Sequence, residues 1–221
     1  MNNLTEIIIN TLYNIPCMIP ALVFHEFAHG WTAGKLGDPT AKNEGRLTLN
    51  PSRHLDIIGT ISLLILGFGW AKPTPVNPSN FKKRKTGMVL VSLAGPVSNL
   101  ILAIISIFAY DAIYFACMKN PEFFNNGSIQ AIIKIFFGGI QININLFLFN
   151  MLPIPPLDGS QILSTFSSKI RNFFSSHAEG ISSIFLILLL MFNVLDFYLI
   201  ICGNYLYNFL QFIPSHIFGL V

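Results

Sequence analysis

The chain has 221 residues, 52% of them hydrophobic and only 10% charged, with a mean hydropathy of +0.61. An ordinary soluble domain is about one-quarter charged, so this composition cannot coat a soluble surface of that size, and its apolar content equally excludes a disordered chain. A net charge of +3 is too small to point to nucleic acid.

Read in chain order, four segments reach membrane-spanning length. The first runs from about Ile7 to Gly34 and carries one acid, Glu26. No basic residue precedes it, so a signal-peptide n-region is not expected. A segment rich in Lys and Arg follows. Within it, Glu44 to Asn50 alternates polar and apolar residues, as a short strand would, and the prolines of Lys72 to Pro78 extend the backbone. Between them Ile57 to Gly69 is apolar but only 13 residues long, too short for a comfortable span and better suited to re-entering the membrane. The second span runs from about Gly87 to Met118 and the third from about Ile129 to Leu152. The fourth runs from about Ile181 to Cys202, and an aromatic tail with Pro214 reads as interfacial. Cys17, Cys117 and Cys202 lie far apart in apolar runs, so neither a disulfide framework nor a zinc–thiolate site is indicated.

Eleven of the 13 basic residues fall in two loops on one side: nine between the first and second spans, and Lys169 and Arg171 between the third and fourth. The positive-inside bias makes that side cytoplasmic. The expected fold is an α-helical polytopic membrane protein of about four to six transmembrane helices. A small re-entrant β-element lies between the first two long spans. The expected organisation is one membrane-embedded domain over 1–221, its core at about 7–165 and a C-terminal span and tail at about 181–221. The expected location is the cell (cytoplasmic or inner) membrane, with the chemistry facing the cytoplasm.

The first span contains His25-Glu26-Phe27-Ala28-His29, an HExxH motif. Positions i and i+4 share a helix face, so both imidazoles can reach one metal ion, and Glu26 beside them can take a proton from a bound water. Ionisable groups inside an apolar span are costly and therefore functional candidates; the competing reading is a polar cluster that packs helices together. A catalytic zinc also needs a third protein ligand and an open position. Asp38, Glu44 and Asp56 would have to fold back to reach it, Asp111 and Asp196 sit toward the opposite membrane face, and Glu122 is in the outward loop. Asp158 is the best candidate. It follows Pro153, Pro155 and Pro156, which cannot continue a helix, and broken backbone at membrane depth belongs where it lines a cavity or is buried in protein. A plain Asp-Gly turn is the other reading of that position.

His25–His29 together with Asn150–Gly159 resembles the site-2 protease family of intramembrane zinc metalloproteases, peptidase family M50. Ala94-Gly-Pro-Val-Ser-Asn99 looks like the family's glycine-proline-asparagine motif on a core helix. Gly45 to Pro51, with His54 and Asp56 after it, is similar to the short bacterial and archaeal members. Gly67 to Trp70 resembles the family's re-entrant β-loop. No PDZ or CBS domain is seen. The resemblance implies one Zn2+ per chain on His25, His29 and Asp158, Glu26 as general base, and Asn150 as the group that polarises the scissile carbonyl or holds the oxyanion. It implies a transmembrane segment of another protein as substrate, cut in regulated intramembrane proteolysis, with the lipid bilayer as the other partner and no nucleic acid. His54, Arg46, Asn50 and Asn99 are further candidates for substrate contact or for supporting the ligands. Rival classes are a catalytically silent membrane scaffold, a transporter that uses the His pair as a transit site, and the other membrane HExxH protease type. The last would need a Glu ligand, for which Glu179 is the only candidate.

Overall fold

A computed structural model describes residues 2–60, 70–174 and 194–220. Long helices dominate: α1 (Asn2–Lys35), α3 (Arg84–Lys119), α4 (Gly127–Asn150) and α6 (Val194–Phe218), with the short helices α2 (Thr40–Asn43) and α5 (Asp158–Phe166) between them. The first three long helices coincide with the first three expected spans. Among the described residues, α3 and α4 are both long and apolar enough to cross a membrane. Helix α3 is the centre of the bundle. It packs against α1, α4, α5 and α6, and α1 also packs against α4.

Side chains explain these contacts. Ala103 and Ile107 of α3 meet Ile140 and Ile144 of α4, with Leu206, Tyr207 and Leu210 of α6 closing over them. At the other end, Ala33 of α1 and Val91 of α3 enclose Phe81, with Val76 and Met88 alongside. Asn126 starts α4 by accepting from the amides of Ser128 (2.9 Å) and Ile129 (3.3 Å), as an N-cap should.

Two expectations need correction. The stretch Glu44 to Asn50 is turn and bend rather than strand, and the only pairing among the described residues is an isolated antiparallel bridge, Leu55 to Ala71. A tight turn at Glu44 and Gly45 sends Arg46 inward and leaves Leu47 and Thr48 partly buried and Leu49 and Asn50 exposed. The bridge still matters, because it joins the two ends of residues 56–70, so the chain leaves and returns at one place. Of the expected re-entrant segment Ile57–Gly69, residues 61–69 lie outside the described residues. The tail is not a separate segment either: it is the continuation of α6, which runs through Pro214. Beside it, Ser215 Oγ donates to the Gln211 carbonyl (2.7 Å), and His216 Nδ1 to that of Phe212 (2.8 Å). The start of the expected fourth span, His177 and Glu179 lie outside the described residues.

Candidate metal centre and active site

Helix α1 sets His25 and His29 one turn apart on its buried face. Asp158 comes from far along the chain. Helix α4 ends at Asn150, the proline-rich stretch turns, and α5 begins at Asp158, where a carboxylate also suits the positive end of the helix. Gly159 lets this happen, because a Cβ there would collide with the backbone carbonyls of Met151 and Leu152. The result brings one oxygen of Asp158, Oδ2, to 3.2 Å from His25 Nε2 and 3.4 Å from His29 Nε2.

Hydrogen bonds on the far side of each ring fix what these atoms offer. His29 Nδ1 lies 2.7 Å from the Val91 carbonyl. A carbonyl only accepts, so Nδ1 carries the proton and Nε2 presents a lone pair. His25 Nδ1 lies 2.6 Å from Asn99 Oδ1. The Asn99 amide is oriented by its own donations, both 3.0 Å, to the Ala21 carbonyl and to Asn143 Oδ1. Asn143 in turn donates to the Gly139 carbonyl (2.8 Å). The same logic therefore gives His25 a free Nε2 lone pair. Asp158 Oδ2 is buried with no hydrogen-bond partner among the described residues.

Three lone pairs thus converge in a buried place where, among the described residues, no cationic side chain neutralises them. This arrangement fits a cation. A tetrahedral zinc with bonds of about 2.0–2.1 Å has ligand–ligand edges of about 3.3 Å, and both carboxylate–imidazole distances match that edge. Among the described residues this is the one group of three such side chains close enough to share an ion. Room for the rings comes from Gly95 of α3. A Cβ at that position would strike the Nε2 atoms of both histidines, so α3 presents bare backbone to the site.

The triad opens into a cavity of about 520 Å³ whose lining includes Glu26, Trp70, Thr74, Asn150 and Gln161. Glu26 is half-buried, and its Oε2 accepts from the Thr74 amide at 2.7 Å. Asn150 Nδ2 donates one hydrogen to the Leu146 carbonyl (3.0 Å), which leaves its second amide hydrogen for the cavity.

The remaining candidates fall into two groups. Asn99 is fully buried and holds His25. Arg46, Asn50 and His54 do not line the cavity. Arg46 Nη2 donates to the Lys72 carbonyl (2.6 Å), and fully buried His54 donates from Nε2 to the Thr48 carbonyl (2.6 Å) while its own carbonyl accepts from Lys72 N (2.7 Å). Asn50 is exposed and caps the turn Pro51–Arg53. Sequence reasoning missed two residues here. Asp38 is buried and receives bonds from Thr40, from the Asn77 amide (2.7 Å) and from Asn80 (2.7 Å). Thr74 is the other. Each makes a key bond that uses a backbone amide of the loop, Asn77 N for Asp38 and Thr74 N for Glu26, which leaves no side-chain pattern to find; the Pro-Thr-Pro spacing around Thr74 is the one available clue.

A buried His–His–Asp triad beside a carboxylate, in a bundle with membrane-length apolar helices, defines a membrane metallohydrolase class. Comparison with known proteins narrows it. The family model described as Peptidase family M50 matches residues 118–192. The Bacillus subtilis protein named "Putative zinc metalloprotease YwhC" is 50% identical over 151 residues, covering 68% of this chain and 67% of that protein. Two proteins named in the same way are more distant. MJ0611 of Methanocaldococcus jannaschii is 33% identical over 141 residues, covering 64% of this chain and 63% of its own. Rip2 of Mycolicibacterium smegmatis is 28% identical over 148 residues, covering 63% of this chain and 51% of its own. The chain therefore matches less than two thirds of those two relatives' length. No solved structure matches it. The chain belongs to peptidase family M50 and is a zinc metalloprotease of the membrane.

Proposed function

We propose that this protein is an intramembrane protease that hydrolyses peptide bonds in or near transmembrane segments of other membrane proteins, in regulated intramembrane proteolysis. One Zn2+ per chain would be held by His25, His29 and Asp158. The observation that carries the reading is the convergence of three buried lone pairs, with the carboxylate at a tetrahedral edge length from each imidazole, next to Glu26 and a cavity. The excess of Lys and Arg in the loops next to the site supports a position on the cytoplasmic side of the cell membrane.

A zinc ion bound there supplies a Lewis acid that acidifies water and polarises a carbonyl. The chain supplies the rest. Glu26 takes a proton from the attacking water at the carboxylate oxygen not held by Thr74 and returns it to the leaving amine. The free amide hydrogen of Asn150 donates to the oxygen on which negative charge develops; such a donor, preorganised in a dry site, is worth more than in water. No acyl-enzyme forms. A helical substrate hides its carbonyls in hydrogen bonds, so it must open locally before it can be cut. The extended residues 71–77, which run along the cavity wall through Pro73, Thr74 and Val76, offer backbone against which an opened segment can lie.

The test is cleavage of a panel of single-span membrane proteins by purified protein in detergent, with bound zinc measured in parallel. Wild type is expected to cut. Glu26→Gln should keep zinc and lose activity by about 10²-fold or more, and Asp158→Ala should lose zinc. If wild type holds zinc and Glu26→Gln cuts as fast, the general-base role is wrong. If zinc does not bind at all, a membrane scaffold becomes the better account.

A further inference from the structure

Residues 71–77 form a strap fixed at both ends: Lys72 by Arg46 and His54, and Asn77 by Asp38. Within Pro73-Thr74-Pro75 the prolines have no N–H, so the Thr74 amide is the only backbone donor. It goes to Glu26 Oε2 at 2.7 Å. The Thr74 hydroxyl donates to the Glu26 backbone carbonyl at 2.9 Å. Its methyl lies against Gly30, one turn further along α1, where a Cβ would come within 3.1 Å of it. One strap residue therefore grips the stretch of helix that bears both histidines.

We propose that Thr74 is the positioning residue for the general base. A glutamate side chain has three rotatable bonds, and its own helix fixes none of them at the carboxylate. The Thr74 N–H holds one oxygen and leaves the other to face the attacking water. Misplacement of a reacting group by about 1 Å costs on the order of 10²-fold in rate. The base is thus aimed by the cytoplasmic loop rather than by α1, and the posts Arg46, His54 and Asp38 act on the reaction through the strap. This rests on Glu26 serving as the base.

Two measurements on the full-length, zinc-loaded protein in detergent test it. The first uses casein as a probe substrate without stable helices. Thr74→Pro removes the N–H in a segment already extended by proline, and kcat should fall about 30- to 100-fold, with KM and bound zinc within about twofold of wild type. Thr74→Ser, which keeps N–H and hydroxyl, should recover the rate to within about threefold. The second needs no substrate and remains decisive if Thr74→Pro fails to fold. Amide exchange at Thr74 should be slow in wild type and at least about tenfold faster in Glu26→Ala, while the Lys72 amide, held by His54, stays as protected as before. The proposal is overturned if folded, zinc-bound Thr74→Pro turns over at the wild-type rate, or if the Thr74 amide exchanges equally fast with and without the Glu26 carboxylate. Wild-type protein that binds zinc but cuts neither casein nor membrane proteins would instead overturn the protease reading, and amide exchange would still decide the Thr74–Glu26 contact.

Discussion

Each ligand at the site is held from behind by a group that dictates its protonation. Asn99 does this for His25, and its three hydrogen bonds leave it no freedom to turn. Replacing it with alanine frees the ring and strands the partners, so Asn99→Ala is expected to weaken zinc binding by about 10- to 100-fold. Competition against a chelator of known affinity measures this, and an unchanged affinity would show that the contact is idle. Gly95→Ala should do more damage, because the new methyl would occupy the space of both Nε2 atoms; zinc content after dialysis should drop well below that of wild type, and full occupancy would mean that α3 can shift away. At this scale the sequence was informative where chemistry follows spacing. Two histidines four apart on a helix can only share a face, and an Asp-Gly after three prolines can only begin something new. The Val91 carbonyl that fixes His29 could not be foreseen, because every residue has a carbonyl.

The strap depends on Asp38. Burial alone would raise this carboxyl, but hydrogen bonds from Thr40, Asn77 and Asn80 outweigh it and hold the group below the usual carboxylate range. The folded value is therefore lower than the unfolded one of about 3.9. The ionised group stabilises the loop in full at neutral pH, and the contribution fades as pH falls from about 4 through the folded value. Amide protection at Asn77 should follow that course, and Asp38→Asn should reproduce the loosened loop at pH 7 at a cost of about 1–3 kcal/mol, read by thermal unfolding and by exchange. A loop indifferent to both changes would remove Asp38 from the account. Element-scale reading from sequence was mixed for a physical reason. The three long apolar segments and the proline-extended strap are set by local chemistry and were legible. The strand expected at Glu44–Asn50 was not there, since turn residues can alternate in polarity by chance of which ones point inward. The helix that runs through Pro214 was not legible either, since proline propensity alone argues for a break there.

As a whole, the molecule puts its polar machinery at one end of an apolar bundle. The histidines lie in the last third of α1, Asn150 ends α4, and the loop between α1 and α3 closes over both. That end also carries the basic residues, which leads to an orientation test. In a variant lacking the native cysteines, Phe124→Cys in the exposed turn Pro121–Asn125 should react with a membrane-impermeant thiol reagent in intact cells, and Lys82→Cys should react only after lysis. The reverse pattern would place the site on the outer face. The substrate prediction belongs to this scale too. Helix-breaking residues near the cut should speed cleavage, and equal rates for substrates with unbroken, stable helices would show that opening is not required.

The ligands also have an order in time. The histidines are synthesised first. Val91 and Asn99, which set their tautomers, follow 62 and 74 residues behind the rings they hold, and Asp158 comes about 130 residues after His29. At about 5–20 residues per second the pair waits roughly 6–26 s for its carboxylate. Once Asn99 has been made, the nascent chain holds an oriented but incomplete two-nitrogen site, and tight capture of the ion waits for Asp158 at the start of α5, before α6 is added to the bundle.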